Sequence, residues 1–246
     1  MMKCSAVLIA RDEEKNLRDC LAGLVFCDEI VLVESGSHDQ TAELARSLGA
    51  KVYSNLFKDF ASQKNFGIGK AESEWVLLVD ADERVTPELT EEILGVLKNP
   101  KADGFFVKRS NRIFGRWMKH GDSGGDRQLR LARRDKAVFK GQVHERIYFE
   151  GKQPCLKNPL LHHSTPTVRD YMKKLNQYTS LEAAMLVEKK ETFDASKIKS
   201  RPLFLFIYLH FFKQGFLDGM EGFLFSVLSA YYEFVRQAKH WERGSS

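Results

Sequence analysis

Residues 75–85, WVLLVDADERV, run from five apolar side chains straight into three carboxylates, Asp80, Asp82 and Glu83. Like charges at that spacing repel one another unless something cationic lies between them. Two carboxylates two residues apart at a strand end suit a hard divalent cation that keeps open positions for phosphate oxygens, as Mg2+ and Mn2+ prefer. The competing reading is a solvated strand end whose aspartates cap the next turn. On the first reading the counter-ion of this acidic knot arrives with a substrate. Other segments placed to act with it are ARDEEKNL, VESGSHDQT and FASQKNFGI. There Glu34 can accept from a base N–H or a ribose hydroxyl, Gly36 permits close backbone approach, and Lys64 can meet phosphate.

Such residues need a scaffold that brings strand ends together. Up to residue 109, short apolar runs (SAVLIA, EIVLVE, KVYS, WVLLVD, GFFVK) alternate with helical periodicity, which predicts parallel βα units with helices on a buried sheet. Leu17, Leu21 and Leu24 share one helical face. Thr86 can cap a helix with Pro87 at its first position and Leu89, Ile93 and Leu97 as its core face. Ligands of such sheets bind beyond the carboxyl ends of the strands, so the acidic knot points into the expected site. Residues 110–161, rich in Gly and Arg with short β-like runs, read as an irregular mixed-strand region covering that site. Residues 168–190 read as a helix with a polar face. Residues 202–241 are aromatic and aliphatic, but Lys213, Asp218 and Glu221 interrupt them before the ~20 apolar residues a membrane span needs.

The chain has 246 residues, 43% of them hydrophobic, and a net charge of +5. That is a globular protein with a real core, and the charge is too small to argue for nucleic acid. Its four cysteines form no CxxC pair, and no cleavable signal precedes them, which predicts a reducing, cytosolic setting. GDSGG at 121–125 has the form of a serine-protease nucleophile loop. An α/β first half without the rest of that machinery argues for a flexible glycine flap instead.

Taken together, ARDEEKNL, VLVESGSHDQT, SQKNFGI, VLLVDADERVTPEL, RQLRLARR, VHERI and NPLLHHS make the chain resemble a family 2, GT-A-type glycosyltransferase. More narrowly it resembles the bacterial lipopolysaccharide-core glucosyltransferases. The resemblance implies a GT-A α/β fold. Residues 1–165 form the catalytic domain, with a nucleotide-sugar half (1–109) and an acceptor half (110–165), followed by a helical, membrane-interfacial region (166–246). It implies inverting transfer of a hexose, glucose from UDP-glucose, to a sugar hydroxyl of the lipopolysaccharide core, aided by Mg2+ or Mn2+. The enzyme then works on the inner face of the inner membrane, against anionic lipid and without nucleic acid. Carried over by position, Asp82 and His162 ligate the metal, and Glu13, Glu34, Lys64, Asp80 and Arg130 serve the donor. Glu34 stands where relatives have Asp, and Lys64 where many have Arg, a point charge in place of a fork.

Inversion needs a base on the acceptor side. Glu145, in VHERI, is the first candidate and Asp126 the second. Arg130 and Arg133 belong either to the leaving diphosphate or to a solvated strand face. The tail lies either in a membrane interface or against a partner subunit. Two alternatives to glycosyl transfer are nucleotidyl transfer on the same metal site, which lacks a Gly-rich, Lys-containing loop after the first strand, and an inactive membrane-surface scaffold.

Overall fold

In the computed structural model, residues 3–122, 125–141, 146–147 and 153–244 are described. They fall into two compact units, residues 1–109 with 126–162 and residues 110–125 with 163–246. In the first unit four parallel strands, β1 (Cys4–Ala10), β2 (Glu29–Glu34), β3 (Lys51–Ser54) and β4 (Trp75–Leu78), stand in the order β3-β2-β1-β4. The register sets Ala10 beside Glu34 and Val7 beside Leu78, so the strands finish along one edge. The remaining strands are β5 (Glu83–Arg84), β6 (Gly104–Ile113), β7 (Arg116–Trp117), β8 (Arg127–Arg133), β9 (Phe139–Lys140), β10 (Arg146–Ile147) and β11 (Leu160–Thr165). Strand β8 runs antiparallel between β4 and β6, β11 pairs antiparallel with β5, and β9 and β10 form a separate ribbon.

Helices α1 (Glu14–Ala22), α2 (Thr41–Ser47), α3 (Phe60–Lys70) and α4 (Pro87–Lys98) connect the early strands. Successive side chains of a strand face opposite ways, and here both faces are covered. Leu8, Trp75 and Leu77 join one apolar cluster with Leu17, Ile93 and Leu97. Their neighbours Val7, Val76 and Leu78 join a second with Ala61 and Ile68. Uninterrupted apolar runs such as WVLL are the sequence signature of a strand buried on both sides. Helix α4 starts as its sequence predicts: the Thr86 hydroxyl accepts from the Leu89 amide at 3.2 Å, Pro87 holds the first turn, and Leu89, Ile93 and Leu97 are buried. Each such apolar side chain stabilises by about 1.5–3 kcal/mol.

The second unit takes the end of β6 with β7 and three helices, α5 (Val168–Glu188), α6 (Ala195–Ile207) and α7 (Gly219–Gly244). Helix α7 packs on both α5 and α6. A π-helical turn (Tyr208–Phe212) and a 3-10 turn (Gly215–Asp218) lead from α6 to α7. Asp218 is buried and accepts from the amides of Lys119 and His120 at 3.1 and 2.8 Å. This fixes the 3-10 turn to residues 119–120. The turn also explains Gly222, where an added Cβ would lie 2.0 Å from the Gly215 carbonyl oxygen. Gly222→Ala should therefore destabilise the protein by about 1–3 kcal/mol, read as a fall in Tm of roughly 2–4 °C per kcal/mol. An unchanged melting curve would contradict this packing. Among the described residues, no helix is long and apolar enough to cross a membrane.

Candidate active site

All of the site described below lies in the first unit. Strand β4 ends at Leu78, Val79 still donates to the Val7 carbonyl, and the chain turns back at once, with the Glu83 amide on the Asp80 carbonyl at 2.9 Å. Arg84 holds this turn by donating to the Ala81 carbonyl at 2.9 Å. The three carboxylates of the knot consequently leave in different directions, and the fold treats each differently.

Asp80 accepts from Arg130 Nη2 at 2.7 Å, with Lys64 Nζ 3.8 Å away on its other oxygen. Glu83 is fully buried. It accepts from Arg130 Nη2 at 2.5 Å and from the Asp80 amide at 2.9 Å, with Arg109 Nη1 at 3.6 Å. Arg109 in turn grips Asp126 through Nη2 and Nε at 2.6 and 2.7 Å. Three carboxylates (Asp80, Glu83, Asp126) thus face three cations (Lys64, Arg109, Arg130), a balanced set that satisfies the cost of burying charge. Burial works against the Asp80 charge, but Arg130, then Lys64, outweigh it and hold the carboxyl well below the usual carboxylate range. Burial pushes the Glu83 carboxyl up, against the pull of Arg130. This differs from the sequence reading, in which the counter-ion of the knot comes with the substrate: for Asp80 and Glu83 the chain supplies it, from strands β6 and β8 and helix α3.

Asp82 has another neighbour. The pairing of β11 with β5 sets His162 opposite Glu83 and brings His162 Nε2 to 3.3 Å from Asp82 Oδ2. A carboxylate oxygen and an imidazole nitrogen at that separation can take two adjacent positions on one divalent ion. Among the described residues no cluster of three or more His, Cys, Asp or Glu could hold a metal.

The other residues predicted for the donor distribute as follows. Glu34, at the end of β2, accepts from the amides of Gly36 and Ser37 and from the Ser54 hydroxyl. Its oxygens brace the loop in which Gly36 takes a φ of +75°, a conformation that favours glycine. Glu13 closes on Asn16 Nδ2 at 2.7 Å at the start of α1. Lys64 lies over the Phe139 ring, 5.1 Å from its centroid. Arg130 is 2% exposed. That leaves its guanidinium to Asp80 and Glu83 instead of a diphosphate or a solvated face, while Arg133 is more exposed and pairs with Asp103 and Asp135. Glu145, and Ser123 of the GDSGG run, lie outside the described residues.

Two members of the site, Glu83 and Arg109, have no role assigned from the sequence. Glu83 was visible as the third carboxylate of the knot. Arg109 carried no signal beyond its place at the end of an apolar strand, because its partner depends on the pairing of β6 with β8.

Residues 5–177 match the profile of Glycosyl transferase family 2. Over 97% of the chain and 92% of the relative, it is 31% identical to the lipopolysaccharide core biosynthesis glycosyltransferase LpsC of Rhizobium meliloti. It is 26% identical, over 97% and 87%, to an uncharacterized glycosyltransferase of Rickettsia typhi. Among solved structures it resembles glucosyl-3-phosphoglycerate synthase of Mycobacterium tuberculosis in complex with Mn2+, UDP and glucosyl-3-phosphoglycerate. That TM-score is 0.54 at 17% identity, covering 76% and 79% of the two chains. TarS (1–349) of S. aureus in complex with UDP-GlcNAc gives a TM-score of 0.53 at 16% identity, covering 99% and 92%. Both likenesses carry the GT-A fold.

Proposed function

Because the chain belongs to glycosyl transferase family 2, we propose that it moves a hexose, glucose from UDP-glucose, onto a sugar hydroxyl of the lipopolysaccharide core, with inversion. The observation that carries this reading is the Asp82–His162 pair, 3.3 Å apart, beside Asp80 and Glu83, which Arg130 holds. That arrangement suits one divalent ion and a diphosphate. The resemblance to LpsC supports the acceptor, and the Mn2+ and UDP bound in the neighbouring structure support the donor and metal.

Asp82 and His162 would hold the ion, which when bound supplies Lewis-acid stabilisation to the departing UDP. Asp80, fixed as a carboxylate by Arg130, serves the ribose side. Glu34, with Glu13, serves the base and ribose side, and Lys64 the diphosphate. Glu145 takes the proton of the acceptor hydroxyl as its oxygen bonds to C1 on the face opposite the breaking C1–O bond to UDP, so one proton moves and the configuration inverts. Asp126 is the alternative base. Its pairing with Arg109, at 2.6 and 2.7 Å, occupies one of its oxygens. Calorimetry of UDP, GDP, CDP and ADP with and without Mn2+ tests the reading. UDP should bind best, and at least tenfold better with the metal. Metal-independent binding, or none, would favour the inactive scaffold.

The second unit supports a place on the inner face of the inner membrane. Leu203, Phe204, Phe211, Phe212 and Met220 are each more than half exposed, with Lys213 among them. Aromatic side chains with nearby cations suit the interface of an anionic bilayer. Phe204→Glu/Phe212→Glu should cut cosedimentation with phosphatidylglycerol vesicles at least tenfold and leave Tm within a few degrees. Equal binding by wild type and variant would assign this face to a partner subunit.

A further inference from the structure

Glu83 is the most deeply buried charge in the site and has no assigned role. We infer that Glu83 is a positioning residue: through Arg130 and the Asp80 amide it fixes the direction of the Asp80 carboxylate, and through Arg109 that of Asp126. Both of its oxygens are already engaged, Oε1 with Arg130 Nη2 at 2.5 Å and Oε2 with the Asp80 amide at 2.9 Å. It is fully buried, so it reaches neither solvent nor ligand. That excludes a role as acceptor base. Its contacts form a branched chain. One branch runs to Arg130 and on to Asp80 at 2.7 Å, the other to Arg109 at 3.6 Å and on to Asp126 at 2.6 Å.

Stability alone is a poor reason for such a cluster. A buried ion pair is often no more stabilising than apolar residues of the same volume, whereas removing one partner leaves the other charge stranded. What a fully connected network provides is a single geometry. A carboxylate at the start of such a tight turn has several rotamers open to it. Arg130, itself fixed by Glu83, selects one. The Glu83–amide bond also closes the turn from the side-chain direction, so one residue sets both the backbone at Asp80 and the position of its carboxylate. The Nε of Arg130 is buried without a hydrogen-bond partner among the described residues. Its two carboxylate contacts both run through Nη2, so the guanidinium is positioned by Asp80 and Glu83 together.

The test compares wild type with Glu83→Gln and with the charge-balanced pair Glu83→Gln/Arg130→Gln, which removes one charge of each sign, leaves Asp80 with Lys64 and Asp126 with Arg109, and keeps the experiment readable where the single variant folds poorly. Two quantities are measured. The first is hydrogen exchange of peptides covering residues 79–84 and 104–109, which needs no ligand. The second is the affinity for UDP in Mn2+, which rests on the donor reading proposed above. Both variants should exchange at least tenfold faster in the two segments and bind UDP at least tenfold more weakly. The pair should recover most of any Tm lost by the single variant without recovering UDP affinity. A merely structural role would instead let affinity return with Tm. Wild-type exchange rates in both segments of a folded variant would overturn the inference. Faster exchange in a protein whose wild type binds no nucleotide would keep the positioning role and count only against the donor reading.

Discussion

Asp82→Ala should reduce transfer by about 10³-fold or more, the loss expected when a Lewis acid worth roughly 4 kcal/mol no longer sits at the leaving group. It should also reduce the dependence of UDP binding on Mn2+ to near nothing. The side chain to remove is Asp82 because it stands 3.3 Å from His162, with which it would hold the ion, while Asp80 and Glu83 both pair with Arg130. The prediction therefore separates members of the knot that the sequence presents as equivalent. Asp82→Ala leaves the Arg130 network whole and should keep Tm within a few degrees, while Asp80→Ala strands part of the Arg130 charge and should lower it. Measuring kcat, Mn2+-dependent UDP affinity and Tm on both variants checks this. Substantial turnover in Asp82→Ala at saturating Mn2+ would remove Asp82 from the proposed metal pair.

Glu145→Gln should lower kcat by about 10²–10⁴-fold, the range of a lost general base, and leave UDP affinity in Mn2+ within twofold. An amide keeps the shape and accepts hydrogen bonds, but it cannot take the acceptor proton. Asp126→Asn is the informative companion, because Asp126 is held by Arg109 at 2.6 Å and, through Arg109, linked to Glu83. As a network member it should lose stability and some donor affinity together. As the base it should lose kcat alone. The split between kcat and KM on the two variants assigns the proton acceptor. Near-wild-type turnover in Glu145→Gln with loss confined to kcat in Asp126→Asn would move the role to Asp126.

What the sequence determined by itself is the part of the molecule written in local periodicity. Apolar runs without alternation marked strands buried on both faces, and β1, β2 and β4 are those runs. Thr86 and Pro87 marked the start of α4, where the cap bond is found. The DADE segment marked a strand end that needs cations. Parallel strands that finish together then put Glu13, Glu34 and Asp80 along one edge, since connection by helices orients successive strands alike.

Only the tertiary structure decided which cation meets which carboxylate. Arg130 reaches Asp80 and Glu83 because β8 lies antiparallel beside β4, with Leu131 opposite Leu77. Arg109 reaches Asp126 because β6 pairs with β8. His162 meets Asp82 because β11 closes on β5. Each pairing joins segments far apart in the chain, and its register is set by how whole faces pack, a slip of one residue being enough to turn every side chain to the other face. For that reason an arginine in RQLRLARR reads equally well as a diphosphate ligand, a solvated side chain or a buried counter-ion. The four-residue return from β4 to β5 and the strands that flank it make Arg130 the last of these.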